Sequence, residues 1–174
     1  VVVENTVTPH GVMPEALPRL GLSLQLEKSL EKVRWYGRGP FENYIDRCTG
    51  SFLGVWSKTV RDLEEPYVRP QDNGYRGAVR WVEFGDQVGH GVRFAATRPM
   101  YFQALEYGWE DMEFARQRNG QKRFYAPVRR DPWINLNLDI LQLGLGGGSC
   151  GPKPLPKYLF PIKEESWTLV ISPQ

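Results

Sequence analysis

Histidines, carboxylates and thiols are the residues from which this chain could build a reactive site, and few of them stand in useful company. The histidines are His10, in Pro9-His10-Gly11, and His90, in Gly89-His90-Gly91. A metal centre or a histidine acid–base pair needs carboxylates or cysteines close by at ligand spacing. Neither histidine has them in sequence, and both read as turn histidines. Glycoside hydrolysis calls for two carboxylates. Glu64-Glu65, Glu110-Asp111 and Glu164-Glu165 read as solvated loop or edge charges, whereas Glu42 and Asp46 fall inside a dense polar run after Gly39-Pro40. A nucleophilic serine or cysteine would need a base, and no histidine motif supplies one. Cys48 and Cys150 are too few for a disulfide framework and are expected to be free thiols.

Two further segments invite a chemical reading. In Gly39-Pro40-Phe41-Glu42-Asn43-Tyr44-Ile45-Asp46-Arg47, the side chains of Asn43 and Asp46 are suited to satisfy the backbone groups of a turn. Arg47 paired with one of the acids would fix the loop. The run Leu143-Gly144-Leu145-Gly146-Gly147-Gly148-Ser149-Cys150-Gly151-Pro152 is glycine-rich but lacks the Gly-Lys-Ser/Thr ending of a phosphate loop, and no helical pattern follows it. Its glycines permit left-handed or very close backbone geometry. The run is either a structural turn or a loop shaped against a ligand or partner.

The elements that must position these residues are strands. Leu20, Leu22, Leu24 and Leu26 alternate with Gly21, Ser23, Gln25 and Glu27, while Ile134, Leu136, Leu138 and Ile140 alternate with Trp133, Asn135, Asn137 and Asp139. Trp167, Leu169 and Ile171 do the same with Ser166, Thr168 and Val170. Period-2 patterns place one face on a core. Val33–Tyr36, Leu53–Val60, Val79–Phe84 and Val92–Ala96 read as further strands. The 18 Gly and 14 Pro leave no room for a long helix. One helical candidate stands at Gln103–Gln117, where Leu105, Trp109 and Met112 fall at helical spacing, with a turn at Asn119-Gly120 after it. Many short strands with Gly/Pro turns imply a sandwich or barrel.

With 174 residues and a 41% hydrophobic fraction, the chain suits one all-β domain, residues 1–174, with a real core. A net charge of +2 gives no reason to expect nucleic acid or an anionic membrane as partner. No apolar run approaches the ~20 residues of a membrane span. No signal-peptide pattern is visible, and the chain opens directly in a β-like run, Val1–Val7, as a piece of a longer polypeptide would.

Trp35-Tyr36-Gly37-Arg38-Gly39-Pro40-Phe41-Glu42-Asn43-Tyr44-Ile45-Asp46-Arg47 comes first in an ordered set of motifs. Pro66-Tyr67-Val68-Arg69-Pro70-Gln71-Asp72-Asn73-Gly74 follows, then Asn137-Leu138-Asp139 running into the Gly144–Pro152 loop, with Leu17-Pro18-Arg19-Leu20-Gly21-Leu22 upstream. In this order they resemble the C-terminal, small-subunit-like domain of glycoside hydrolase family 2 β-galactosidases, from about Leu17 to Pro173. Ile45 and Asp72 depart from the family's usual Pro and Glu.

The resemblance implies a β-supersandwich related to galactose mutarotase, here lacking its N-terminal portion. It implies that the catalytic glutamates lie in a separate barrel domain, so that this chain has no catalytic residue; no cofactor is expected in this chain, and no cluster of ligand residues argues for a metal. The expected partners are the remaining domains or the large subunit, and the galactoside itself. By the same resemblance, Gly148, Ser149, Cys150 and Gly151 belong to a loop that helps to close the sugar site. Many relatives carry Trp at the position of Cys150. Gly39, Pro40, Glu42, Asn43, Asp46 and Arg47 belong to a loop beside the site mouth. An apolar face exposed on the separated chain would lead to a homo-oligomer. Two rival readings are a stand-alone carbohydrate-binding module, with six Trp and eight Tyr available for stacking, and a mutarotase-like epimerase, which would need His10 and His90 in one cleft with a carboxylate.

Overall fold

The computed structural model describes residues 1–67, 71–112, 128–147 and 151–174. Its strands are β1 (Val2–Val7), β2 (Arg19–Glu27), β3 (Lys32–Gly39), β4 (Phe52–Thr59), β5 (Arg76–Gly85), β6 (Gly91–Leu105), β7 (Trp133–Gln142) and β8 (Glu165–Pro173). Every pairing is antiparallel. The all-β expectation is met, and each sequence pattern of alternation falls on a strand.

β6 organises the sheet. One edge of it pairs with β5. The other edge has two successive partners: Val92–Ala96 lie against β8, and Tyr101–Leu105 lie against β7. Pro99 sits between the two, where a residue without an N–H cannot continue a ladder. The register with β5 also shifts there, from Trp81↔Ala95 to Val79↔Met100. Such a bulge bends a strand and raises its twist. The sheet therefore forks into one path β1-β8-β6-β5-β3-β4 and a second wing in which β7 pairs with both β6 and β2.

Both wings turn their apolar positions inward. Val33, Trp35, Val82, Phe84 and Phe94 from the first wing meet Ile134, Leu136 and Leu138 from the second in one core cluster, with Leu22, Leu24 and Leu26 packed against it. Phe102 stacks edge-on against Trp35 and Phe84, with centroids 5.7 and 6.3 Å apart. The wings fold over this core in the manner of a sandwich.

Two local readings are corrected. Gln103–Leu105 are not helical. They end β6, paired with Asn137, Leu136 and Asn135. Only 109–112 forms a helical turn, and 113–117 and Asn119-Gly120 lie outside the described residues. Leu105, Trp109 and Met112 thus share a helical spacing without sharing a helix, because cross-strand pairing overrides weak local preference. The strand expected over Leu53–Val60 ends at Thr59, where a short helix α1 (Val60–Leu63) begins with a capping box between Thr59 and Asp62.

No described helix is long and apolar enough to cross a membrane. Edge strand β4 leaves Phe52, Leu53 and Val55 each more than half exposed, and Tyr36 of β3 pairs beside Val55.

Candidate functional site

The loop after β3 is built around two side chains. Gly39–Pro40 is a cis peptide, and the chain then reaches Asn43, which is 1% exposed. Asn43 Nδ2 donates to the carbonyls of Phe41 (3.0 Å) and Arg38 (3.4 Å), as expected of a turn asparagine. It also does what no local reading could show. Its backbone N–H donates to Tyr75 O at 2.8 Å, and its Oδ1 accepts from Gly77 N at 2.9 Å, stapling the loop to the start of β5. Tyr44 and Arg47 then exchange both backbone hydrogen bonds, at 3.1 and 3.0 Å, and so set Asp46 on a tight turn.

Asp46 faces the glycine-rich loop. Its Oδ1 accepts from Leu145 N at 3.0 Å and its Oδ2 from Gly146 N at 2.8 Å. A Cβ at Gly144 would come within 2.7 Å of Asp46 Oδ2, so the close approach requires glycine there. Gly146 has φ +62°. The two arms of this loop touch at Gly147 and Gly151, whose backbones leave no space for a side chain, and Gly147 N donates to Pro152 O at 2.8 Å. Gly148, Ser149 and Cys150, the tip of the loop, lie outside the described residues, as does any pairing of Cys150. Cys48 is a free thiol.

Glu42 ties in a third motif. Its Oε2 accepts from Gly74 N (2.9 Å) and from Tyr44 Oη (3.2 Å), and its Oε1 accepts from Tyr67 Oη. Burial and the Glu42 carboxylate push the Tyr67 hydroxyl up to about 12, so it stays a donor. The fourth motif joins through Arg19, which donates to Tyr75 Oη, and Tyr75 Oη in turn donates to Asp139 Oδ2 at 2.8 Å. Burial raises the Asp139 carboxyl to about 6, against the opposing pull of the Tyr75 hydrogen bond and the Arg19 charge. Four segments distant in sequence are thereby held together by Glu42, Asn43, Asp46 and Tyr75.

The expected partner of Arg47 is corrected. Among the described residues no acid lies within ion-pair distance of it, because Asp46 and Glu42 are engaged by backbone amides and tyrosines. The sequence reading also missed Tyr67 and Tyr75. Their only signal is membership of, or adjacency to, the Pro66–Gly74 motif.

The histidines are far apart. His10 follows β1, past the Val7↔Glu165 pair at the start of β8, whereas His90 precedes β6, whose Val92 pairs with Pro173 at the other end of β8. The nine residues of β8 span about 26 Å at strand rise. His90 sits 3.1 Å from Asp86 in an exposed turn. Among the described residues no three His, Cys, Asp or Glu side chains cluster as a metal site.

The family model described as the beta galactosidase small chain matches residues 1–171. A beta-galactosidase of Priestia megaterium (strain DSM 319 / IMG 1521) is 30% identical over 173 residues, which is 98% of this chain and 16% of the relative. One from Lactobacillus delbrueckii subsp. bulgaricus is 36% identical over 160 residues, 90% of this chain and 15% of the relative. Beta-galactosidase BgaC of Bifidobacterium adolescentis (strain ATCC 15703 / DSM 20083 / NCTC 11814 / E194a) is 33% identical over 166 residues, 93% of this chain and 15% of the relative. The chain thus spans about a sixth of the length of these curated relatives. Matched from Val1 to Ile171 by that model, the chain belongs to the β-galactosidase small-chain family.

Proposed function

We propose that the chain is a non-catalytic part of an enzyme that hydrolyses β-galactosides. Its loops 39–47 and 144–152 border the galactoside site and help to close it, and the catalytic carboxylates stand on the rest of the polypeptide or on a large subunit. The observation that carries this reading is the Asp46 carboxylate, which binds two backbone amides of the glycine-rich loop and makes the two loops one surface. Within that surface Gly148, Ser149, Cys150 and Gly151 are the proposed sugar contacts, and Gly39, Pro40, Glu42, Asn43 and Arg47 form the supporting rim. Family membership supports the reading, as does the small share of each relative that the chain covers. The engagement of Glu42 and Asp46 supports it too: carboxylates used as fixed acceptors for amides and hydroxyls are poorly placed to act as a nucleophile or proton donor. The exposed Phe52, Leu53, Val55 and Tyr36 are the proposed docking side toward the remaining domains, and the same residues would drive self-association of the chain alone.

A chromogenic β-galactoside tests the division of labour. The purified chain is expected to give no turnover above background, while the intact polypeptide or reconstituted complex turns over. Hydrolysis by the chain alone that disappears on Glu42→Ala or Asp46→Ala would place the catalytic machinery here and overturn the proposal.

A further inference from the structure

The solvent face of β6, β7 and β2 carries a second polar surface, which adjoins the loop cluster through Arg19 and Asp72. Strand pairing sets Gln103, Asn137 and Ser23 side by side in one row, and Asn135 beside Gln25 in the next. These positions alternate with Leu136, Leu138, Leu22 and Leu24, which face the core. The first row is hydrogen-bonded along its length. Ser23 Oγ donates to Asn137 Oδ1 at 2.6 Å, Asn137 Nδ2 to Gln103 Oε1 at 2.9 Å, and Gln103 Nε2 to Asp72 Oδ1 at 2.6 Å. Gln103, 3% exposed, anchors the buried end of the row, Asn137 is half-buried and Ser23 is exposed. Arg19 closes one end, 3.9 Å from Asp72. Trp109, 63% exposed, also lines the cleft, whose volume is about 530 Å³.

We propose that this cleft binds a neutral mono- or disaccharide, as a site separate from the loop cluster. The size lies within the range of small-ligand sites, roughly 300–1,000 Å³. Sugar hydroxyls both donate and accept. The buried Gln103 amide is fully engaged, and both functions are offered by the more exposed amides of Gln25, Asn135 and Asn137, while Arg19 and Asp72 offer charged partners of opposite sign. With Glu110 also on the wall, the charges give no net attraction for an anion, and a polar floor disfavours an apolar ligand. The exposed indole of Trp109 supplies a flat surface for the C–H face of a pyranose ring. The inference rests on the cleft alone and does not depend on the role assigned to the loops.

The test is calorimetric titration of the intact polypeptide with a lactose analogue whose glycosidic oxygen is replaced by sulfur, so that it is not hydrolysed. Two classes of site are expected. Trp109→Ala should weaken one of them several-fold to about tenfold, the range for loss of one aromatic stacking contact. Gln25→Ala, also at an exposed position, should weaken the same site, and both variants should hydrolyse galactosides as the parent does. That site should survive Asp46→Ala, which separates this proposal from the one made for the loops. A single class of site in the parent, or two classes that are both unchanged by Trp109→Ala and Gln25→Ala, overturns the inference.

Discussion

Asp46→Ala, introduced into the intact enzyme, is expected to raise KM for a β-galactoside about a hundredfold or more. Hydrogen bonds to a charged group contribute about 1.5–3 kcal/mol each, and 1.4 kcal/mol is a factor of ten. Asp46 makes two of them, to Leu145 N and Gly146 N, and they are the described side-chain bonds between the loops. Without them the glycine-rich loop loses its anchor while both loops keep their own internal bonds, such as Gly147 N to Pro152 O. The cost therefore falls on the placement of the loop, not on the fold. Asp46→Asn should be intermediate, because an amide can accept from one N–H but turns a donor toward the other. Steady-state kinetics on the three proteins decides the matter. Unchanged KM and kcat in Asp46→Ala would remove the loop from the site.

Gly21→Ala is expected to destabilise the chain by about 3 kcal/mol or more, beyond the usual strain of added core volume. A Cβ there would lie 2.2 Å from Leu138 O and 2.5 Å from Asp139 Cα. These are backbone atoms, so no rotamer change can relieve the contact. The register shifts at this point, from Leu20↔Leu141 to Gly21↔Asp139, leaving Ile140 as the extra residue of a bulge. The bulge brings Asp139 against β2, where Tyr75 reaches it. Moving β7 away would break that contact as well. Gly85→Ala is the control. Its nearest neighbours would be 3.5 and 3.9 Å away, and the change should cost less than about 1 kcal/mol. Urea unfolding of both variants against the parent measures the difference. Equal midpoints for Gly21→Ala and the parent would show that β2 and β7 are free to separate.

Much of this architecture was legible in the residues because period-2 alternation is a strong signal. The leucines of β2 and the Ile134–Ile140 series of β7 each identified a strand and its buried face. The turn role of Asn43 was legible too, since its bonds to Phe41 and Arg38 are local. What could not be read is whatever depends on which distant strand lies alongside. The bond from Asp46 to the Gly144 loop spans about a hundred residues, and nothing near Asp46 announces it. Arg47 was the more natural local partner and proved not to be used. The same holds for the misread stretch at Gln103–Leu105. Its helical spacing is real, but pairing with β7 decides its conformation. The short helix after Thr59 did carry its signal, a Thr with Asp three residues on, hidden behind a convincing strand. The alternation of Asn135, Asn137 and Asp139 was visible, but not that Ser23 and Gln103 would complete the row.

The central claim is that loops 39–47 and 144–152 border the galactoside site. A galactoside carrying a photoreactive diazirine, irradiated on the intact enzyme and mapped by peptide mass spectrometry, tests it most directly. The account predicts label in 144–152, with lesser label in 39–47, suppressed by excess galactose. Label confined to other parts of the polypeptide, with none in these two loops, would contradict it.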